Sequence, residues 1–346
     1  MAVAGDLPEC PLRSRGGWLT RLIANPRFQH WASGFLLTRG IARRDGAEIF
    51  DIVQGFVQSQ VLSALVELDL LNRLAEGPQS PADLARRAGM AEDRMAILLQ
   101  AGAALGLLRR RRDGRFALAR KGAAILGAPG LEAMIRHHRA FYADMADPVA
   151  LLRGEGETEL ARFWPYVFGA AAEVEPEVAR RYSDLMAQSQ GLVARSPDLR
   201  LSLFDLPEVI PSARARLTQA GLTARLTLVP GSFRSDPLPE GADTISLIRV
   251  LYDHDDATVT ALLAKVHAAL PAGGRLIVAE PMAGGVRPER AGDVYFAFYT
   301  MAMGTGRARS AARIAEMCRG AGFTDIRIPH SPRPFVTSAL SCVKTA

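Results

Sequence analysis

Cysteine is almost absent from this 346-residue chain: Cys10, Cys318 and Cys342 are odd in number and far apart. That spacing suits neither a disulfide frame nor a zinc site, and it points to reduced thiols in the cytoplasm. Long apolar runs are lacking too. Phe50–Leu71 comes nearest, but Gln54, Gln58, Gln60 and Glu67 break it, short of the ~20 residues of a membrane span. The first twenty residues have no apolar core of the signal-peptide kind, and they include Asp6 and Glu9. Lysine is scarce, with three among 42 basic residues, a bias that says little about function. Acid is short only at the front. Residues 1–125 hold 18 basic and 12 acidic side chains, and the rest hold 24 of each, so the net charge of +6 lies in the first third. A basic front end admits nucleic acid, an anionic membrane surface, or neither.

What is present divides into four parts: an arm (1–45), a small helical domain (46–128), a helical linker or substrate segment (129–194) and an α/β domain (195–346). In the arm, Trp18, Leu22, Ile23, Phe28, Trp31 and Phe35 alternate with basic residues. Such an amphipathic stretch packs on a partner subunit or lies on a membrane surface, where it would make the protein peripheral. Ile49–Leu74 has strong helical periodicity and stops at Gly77-Pro78. Ser80-Pro81-Ala82-Asp83 then reads as N-cap, first-turn proline and acid, opening a short helix that ends near Gly89. Ala91–Leu107 predicts a further helix. Leu108–Arg112 and Arg115–Leu118 flank Asp113-Gly114, a tight-hairpin signal. Three helices and a hairpin make a winged helix. Its basic wing suits DNA, but the candidate recognition helix opens with Glu92 and Asp93 and continues through apolar Met95–Leu99. A dimerisation module is therefore favoured over nucleic-acid binding. The alternative to an enzyme is a dimeric interaction or regulatory protein built on this module.

Leu131–Tyr182 reads as helical and aromatic. His137 and His138 are adjacent, so on a helix they diverge by about 100° and should not share one site. A metal is not expected.

Leu199–Pro207 predicts a short strand ending at Asp205. Arg225–Val229, Thr244–Val250 and Arg275–Ala279 predict three more, with a helix at Ala257–Leu270. This alternation means a parallel, doubly wound sheet. Its strand ends gather Asp205, Leu206, Ser232, Phe233, Arg249, Tyr252–His254 and Glu280 on the rim where such sheets bind nucleotides. A carboxylate at Asp205 either accepts ribose hydroxyls there or caps the following helix. No Gly-x-Gly follows a strand anywhere; Gly304-Thr305-Gly306 follows a helix. A nucleotide sheet needs a first strand, a glycine loop and a helix before Leu199, about 25–30 residues in all, and they are missing. The missing strand would be a central one.

Phe-Asp-Leu-Pro-Glu-Val-Ile from Phe204, Pro-Gly-Ser-Phe from Pro230, Arg-Val-Leu-Tyr-Asp-His-Asp-Asp from Arg249 and Ala-Ala-Leu-Pro-Ala-Gly-Gly-Arg-Leu-Ile-Val-Ala-Glu from Ala268 carry a resemblance. In this order they resemble the S-adenosylmethionine-dependent O-methyltransferases with an N-terminal winged-helix dimerisation domain, over nearly the whole chain. Phe-Gln-His-Trp-Ala near residue 30, Ile-Arg-His-His near 137 and Arg-Phe-Trp-Pro-Tyr near 164 are similar to the family's carotenoid branch, with the bacteriochlorophyll-ring enzymes its neighbour. The resemblance implies an all-α dimerisation domain, a Rossmann-like class I methyltransferase domain without its first strand, loop and helix, and a homodimer. It implies S-adenosylmethionine as methyl donor and no metal. It implies that Asp205 and Leu206 hold the ribose and that Phe233 packs on the adenine. Ser232 stands where the family has an adenine-binding Asp, and Arg249 would pair with the methionine carboxylate. Tyr252 replaces the catalytic His of the aromatic-substrate enzymes, and His254 falls where they have Trp. Glu280 matches the acid that orients the base, and a second Glu expected near Ala308 is absent. Catalysis would then rest on Tyr252, His254 and Glu280, with a tertiary alcohol of an acyclic carotenoid as the expected substrate.

Overall fold

The computed structural model describes residues 17–128, 130–163, 199–219, 223–329 and 337–345. Its contacts divide the chain into two units, residues 1–120 and 121–346.

The first unit runs α1 (Trp18–Ile23), α2 (Pro26–Gly34), α3 (Arg39–Glu67), α4 (Leu70–Ala75), α5 (Pro81–Ala88), α6 (Glu92–Ala104), β1 (Leu108–Arg110) and β2 (Phe116–Leu118). The helix expected over 49–74 starts earlier, at Arg39, and breaks at Asp69, whose backbone is left-handed with φ 57°. That break turns Leu70, Leu71 and Leu74 into the core. Ser80 caps α5 by accepting the Asp83 N–H, and Gly89 at φ 65° closes it. β1 and β2 pair antiparallel with Arg109 opposite Ala117. A Cβ on Gly102 would lie 3.1 Å from both Leu65 and Leu108, so only the smallest residue lets α6 approach α3 and the wing this closely. The opposite faces are bare. Trp18, Trp31, Phe35, Leu36 and Leu37 are exposed, as are Ile49, Ile52, Val53 and Phe56 along α3. By length and composition alone α3 could cross a membrane, and 11% of its most apolar stretch is buried within the chain. Continuous apolar surface of this kind is interaction surface.

In the second unit the expected helical segment divides into α8 (Leu131–Asp144), α9 (Pro148–Arg153) and α10 (Glu159–Phe163), preceded by α7 (Arg120–Leu126). Caps cause the breaks. Asp147 accepts the N–H groups of Val149 and Ala150, and Asp144 accepts those of Glu159 and Leu160. The remainder of that expectation, from residue 164, lies outside the described residues.

All four expected strands are present: β3 (Leu201–Asp205), β4 (Leu226–Pro230), β5 (Thr244–Ile248) and β6 (Arg275–Glu280). β3 pairs parallel with β4, placing Asp205 opposite Pro230, and β5 pairs parallel with β6, placing Ile248 opposite Ala279. Two strands go beyond the sequence reading: β7 (Phe323–Arg327) and β8 (Ser338–Lys344), with β8 antiparallel between β6 and β7. The result is two sheets, β3-β4 and β5-β6-β8-β7. Among the described residues, nothing pairs with the second edge of β3 or of β5. Residues 190–198, across which a first strand and glycine loop are missing from the sequence pattern, lie outside the described residues. The larger sheet packs on the helix Asp256–Ala269. Its Val259, Leu262, Leu263 and Val266 recur on one face and meet Leu247, Leu276, Val278 and Leu340.

Candidate functional site

Asp205 ends β3, and its backbone carbonyl accepts the Gly231 N–H at 2.8 Å. Its carboxylate accepts the Leu206 N–H at 2.8 Å, and the described residues bring it no cation. Burial raises its pKa from 3.8 to about 6. It does not cap a helix, since the next one begins at Ile210. A half-buried carboxylate with spare acceptor capacity fits two ribose hydroxyls. Gly231 is required where it stands, because a Cβ would meet the Phe204 ring at 2.5 Å.

At the end of β4 the Ser232 hydroxyl accepts the Arg234 N–H, and its own N–H donates to Asp236 Oδ2 at 2.8 Å. The carboxylate at this strand end is therefore Asp236, four residues along, which the motif alignment passed over. Lys265 Nζ donates to the carbonyls of Phe233, Arg234 and Asp236 and fixes the loop. Phe233 meets the His254 ring edge-to-face at 5.1 Å. Ser232 and Phe233 thus stand together in the loop after β4, beside His254.

The catalytic candidates are arranged differently from the expectation. Glu280 does not orient a side-chain base. Its two oxygens accept the backbone N–H groups of Val250, Leu251 and Tyr252 at 3.1, 2.6 and 2.7 Å. It caps the short helical turn Leu251–Asp253, and burial lifts its pKa to about 7. His254 is not poised as a base either. Its Nδ1 lies 3.2 Å from an Arg234 guanidinium nitrogen, which can only donate, so Nδ1 accepts. Burial, reinforced by the Arg234 charge, pushes its pKa down to about 4. Tyr252 is buried with its ring edge-to-face on Phe296 at 6.3 Å. Asp253 Oδ1 is buried and has no hydrogen-bond partner among the described residues. Burial and then the Glu280 charge raise its pKa well above the ordinary carboxylate value. Arg249 holds a left-handed backbone at φ 56°, a conformation that costs a non-glycine residue about 1–3 kcal/mol and is concentrated at functional sites. Its charge favours the ionised forms of Asp253 and Tyr295.

Sequence reasoning missed three supports of this turn. Arg309 is buried and donates to Asp256 and to the carbonyls of Leu251, Arg307 and His254. Gly306 approaches the Tyr252 carbonyl, where a Cβ would be 2.9 Å away, and Thr305 donates to the Asp253 carbonyl. Gly304-Thr305-Gly306 thus braces the turn. The third is a π-helical turn, Arg290–Phe296, at the start of the helix Ala297–Ala302. Gly292 permits it, since a Cβ there would sit 2.0 Å from the Met282 carbonyl oxygen, and Asp293 pins it by accepting the Gly284 and Glu289 N–H groups. The turn carries Tyr295, and Tyr299 lies one turn on. His138 bonds the first and His137 the second. The two histidines do diverge, yet both engage the same segment. The motifs gave no signal for this, because π-turns follow from local packing.

A pH dependence follows for His254. Its folded pKa lies near 4 and its unfolded pKa near 6.5, so the unfolded state gains the proton first as pH falls. Stability is lost progressively from about 6.5 downward. His254→Gln removes this loss, so relative to wild type it should gain about 1 kcal/mol for each pH unit below 6.5. Urea unfolding at pH 7 and 5.5 measures the difference, and an unchanged difference would mean that the imidazole is solvated.

The fold and the family matches together give an S-adenosylmethionine-dependent O-methyltransferase with its own dimerisation domain. The O-methyltransferase domain family matches residues 187–324 and the O-methyltransferase dimerisation domain family matches residues 50–126. The chain is 54% identical to demethylspheroidene O-methyltransferase of Cereibacter sphaeroides, over 94% of each chain. It is 48% identical to the Rhodobacter capsulatus protein of that name, over 98% of this chain and 92% of the relative. Both alignments, at 355 and 370 positions, are longer than this chain. Human N-acetylserotonin methyltransferase in complex with S-adenosylmethionine has the same fold, with a TM-score of 0.73 and 20% identity over 87% of this chain and 98% of that one. The chain belongs to the S-adenosylmethionine-dependent O-methyltransferase family.

Proposed function

We propose that this chain is a homodimeric carotenoid O-methyltransferase, acting on the tertiary hydroxyl of an acyclic polyene, whose hold on its methyl donor is weakened. The identity to demethylspheroidene O-methyltransferases carries the substrate class. The edges of β3 and β5, which meet no strand among the described residues, support the weakened hold. In a parallel nucleotide sheet a central strand stands between such edges, and its glycine loop brings backbone N–H groups to the ligand. Alignments longer than the chain fit the loss of that unit.

S-adenosylmethionine, when bound, supplies an electrophilic methyl group. Asp205, with the Leu206 amide behind it, would hold the ribose. Phe233 and Ser232 would flank the adenine, and Arg249 the methionine carboxylate. A tertiary alcohol is far less acidic than a phenol, so a histidine base has little to take before the new bond forms. That accords with Tyr252 in the usual histidine position and with a neutral, donor-bound His254. Positioning of the hydroxyl then supplies most of the rate, and Tyr252 lines the rim. Glu280 acts by capping the turn that carries it.

The substrate resides in a membrane, and the arm suits one. From Cys10 to Arg44 there are seven arginines and no acid, interleaved with exposed Trp18, Trp31 and Phe35. Residues 50–126 mediate the dimer. The test supplies millimolar S-adenosylmethionine to the chain on anionic phosphatidylglycerol vesicles loaded with 1-hydroxylycopene or with N-acetylserotonin. Methyl ether should form slowly and only from the polyene. Removal of residues 1–39 should lower vesicle binding in flotation. Methylation of the phenol alone would refute the substrate class, and equal flotation would refute the arm's role.

A further inference from the structure

Beyond the rim, the second unit holds a half-buried hydrogen-bonded chain that no role above uses. His138 Nδ1 lies 2.6 Å from the Met134 carbonyl, one helical turn back, and a carbonyl only accepts. Nδ1 therefore carries the hydrogen. Burial lowers the His138 pKa, so the ring is neutral and Nε2 is a bare acceptor. Nε2 is bonded to the Tyr295 hydroxyl, which must be the donor. The phenol's one hydrogen is thus committed, and its rotation is fixed. Its remaining oxygen lone pairs have no partner among the described residues.

The ring itself lies among aromatic neighbours, while the Arg249 charge and the Tyr142 phenol act on its hydroxyl. Tyr295 lies edge-to-face on Phe141 at 5.9 Å and on Phe296 at 4.8 Å, and it stacks near Tyr299 at 5.7 Å. Phe296 in turn meets Tyr252, so the chain of rings leads to the turn at the end of β5. The carrier is the π-helical turn braced by Gly292 and Asp293, an uncommon geometry that clusters at functional sites. Tyr295 itself is half-buried, whereas its neighbour Tyr299, paired with His137 at 2.9 Å, is 7% exposed. One of the two His–Tyr pairs is reachable by a ligand and the other is part of the core.

We propose that Tyr295, held by His138, is the acceptor that recognises the substrate hydroxyl at this aromatic cluster. A phenol whose hydrogen is locked onto a neutral imidazole can only accept from a newcomer. It selects an alcohol over the bare hydrocarbon and places the alcohol oxygen at the Tyr252 end of the aromatic wall. Tyr295 is the specificity-determining residue and His138 positions it. This rests on the polyene-alcohol reading above.

The experiment measures equilibrium binding of 1-hydroxylycopene and of lycopene, each dispersed in detergent, by quenching of intrinsic fluorescence, without methyl donor. One hydrogen bond should give the full-length wild type about a tenfold preference for the alcohol. Tyr295→Phe should bring the preference to about one while leaving lycopene affinity unchanged. His138→Ala, which frees the phenol rotor, should lower the preference in the same direction. Tyr299→Phe should keep it. An undiminished preference in Tyr295→Phe overturns the proposal, as does equal binding of both ligands by wild type. Failure of both polyenes to bind overturns the substrate reading as well.

Discussion

Arg309→Met should cost about 3–5 kcal/mol, chiefly because the carbonyls it serves lose their donor at about 1–3 kcal/mol each, while Asp256 keeps Arg307 and Arg313. The guanidinium is 2% exposed and has four partners: the Asp256 carboxylate at 2.7 Å and the carbonyls of Leu251, Arg307 and His254. Methionine matches the length of the stem but leaves three carbonyls facing an apolar side chain. Those carbonyls belong to the turn that presents Tyr252 and to the loop that braces it, so the damage falls on the rim. The Glu280 side of the turn would still be capped by its three amide bonds, and the sheet itself should persist. Thermal unfolding should show a fall of roughly 6–20 °C, since 1 kcal/mol corresponds to about 2–4 °C for a domain of this size. A change under 2 °C would show that the turn holds itself without the arginine.

The second large effect is a gain. A strand, glycine loop and helix taken from the Cereibacter sphaeroides relative and inserted ahead of Leu199 should raise affinity for S-adenosylhomocysteine at least 100-fold. The insert would pair both β3 and β5, which lack a partner on one edge among the described residues. It would also bring a helix N-terminus and several amide donors to the ligand opposite Asp205. At about 1 kcal/mol for each net hydrogen bond, three or four such donors give 10²–10³ in affinity. No gain would mean that the edges of β3 and β5 already meet and leave no room for the graft.

The parallel strands were legible because apolar runs ended at Asp205, at Pro230-Gly231 and at Glu280 between helical stretches. The wing was legible because Asp113-Gly114 is a strong turn signal. β7 and β8 were not, since an antiparallel return after the last helix leaves no motif. The Asp69 break was hidden because apolar periodicity runs through it, while the backbone there turns left-handed. At the site, motif alignment named residues that do stand at the strand ends, but not the contacts they make there. Glu280 and His254 look like acid and base in a sequence. Their partners, three amides and a guanidinium, exist only once β5 and β6 pair and the loop after β4 folds over the turn. Tyr295 was missed for the same reason, because its geometry depends on Gly292, where a Cβ would lie 2.0 Å from the Met282 carbonyl oxygen.

The measurement that bears most directly on the weakened cofactor site is titration calorimetry of the intact chain with S-adenosylhomocysteine at pH 7.5, where Asp205, with its pKa near 6, is ionised. No heat of binding, or a dissociation constant weaker than about 100 µM, is expected from a half-built site, at most about 5.5 kcal/mol of binding free energy. Micromolar binding would contradict it, and would mean that Asp205, Phe233 and their neighbours form a complete cofactor site without the missing strand.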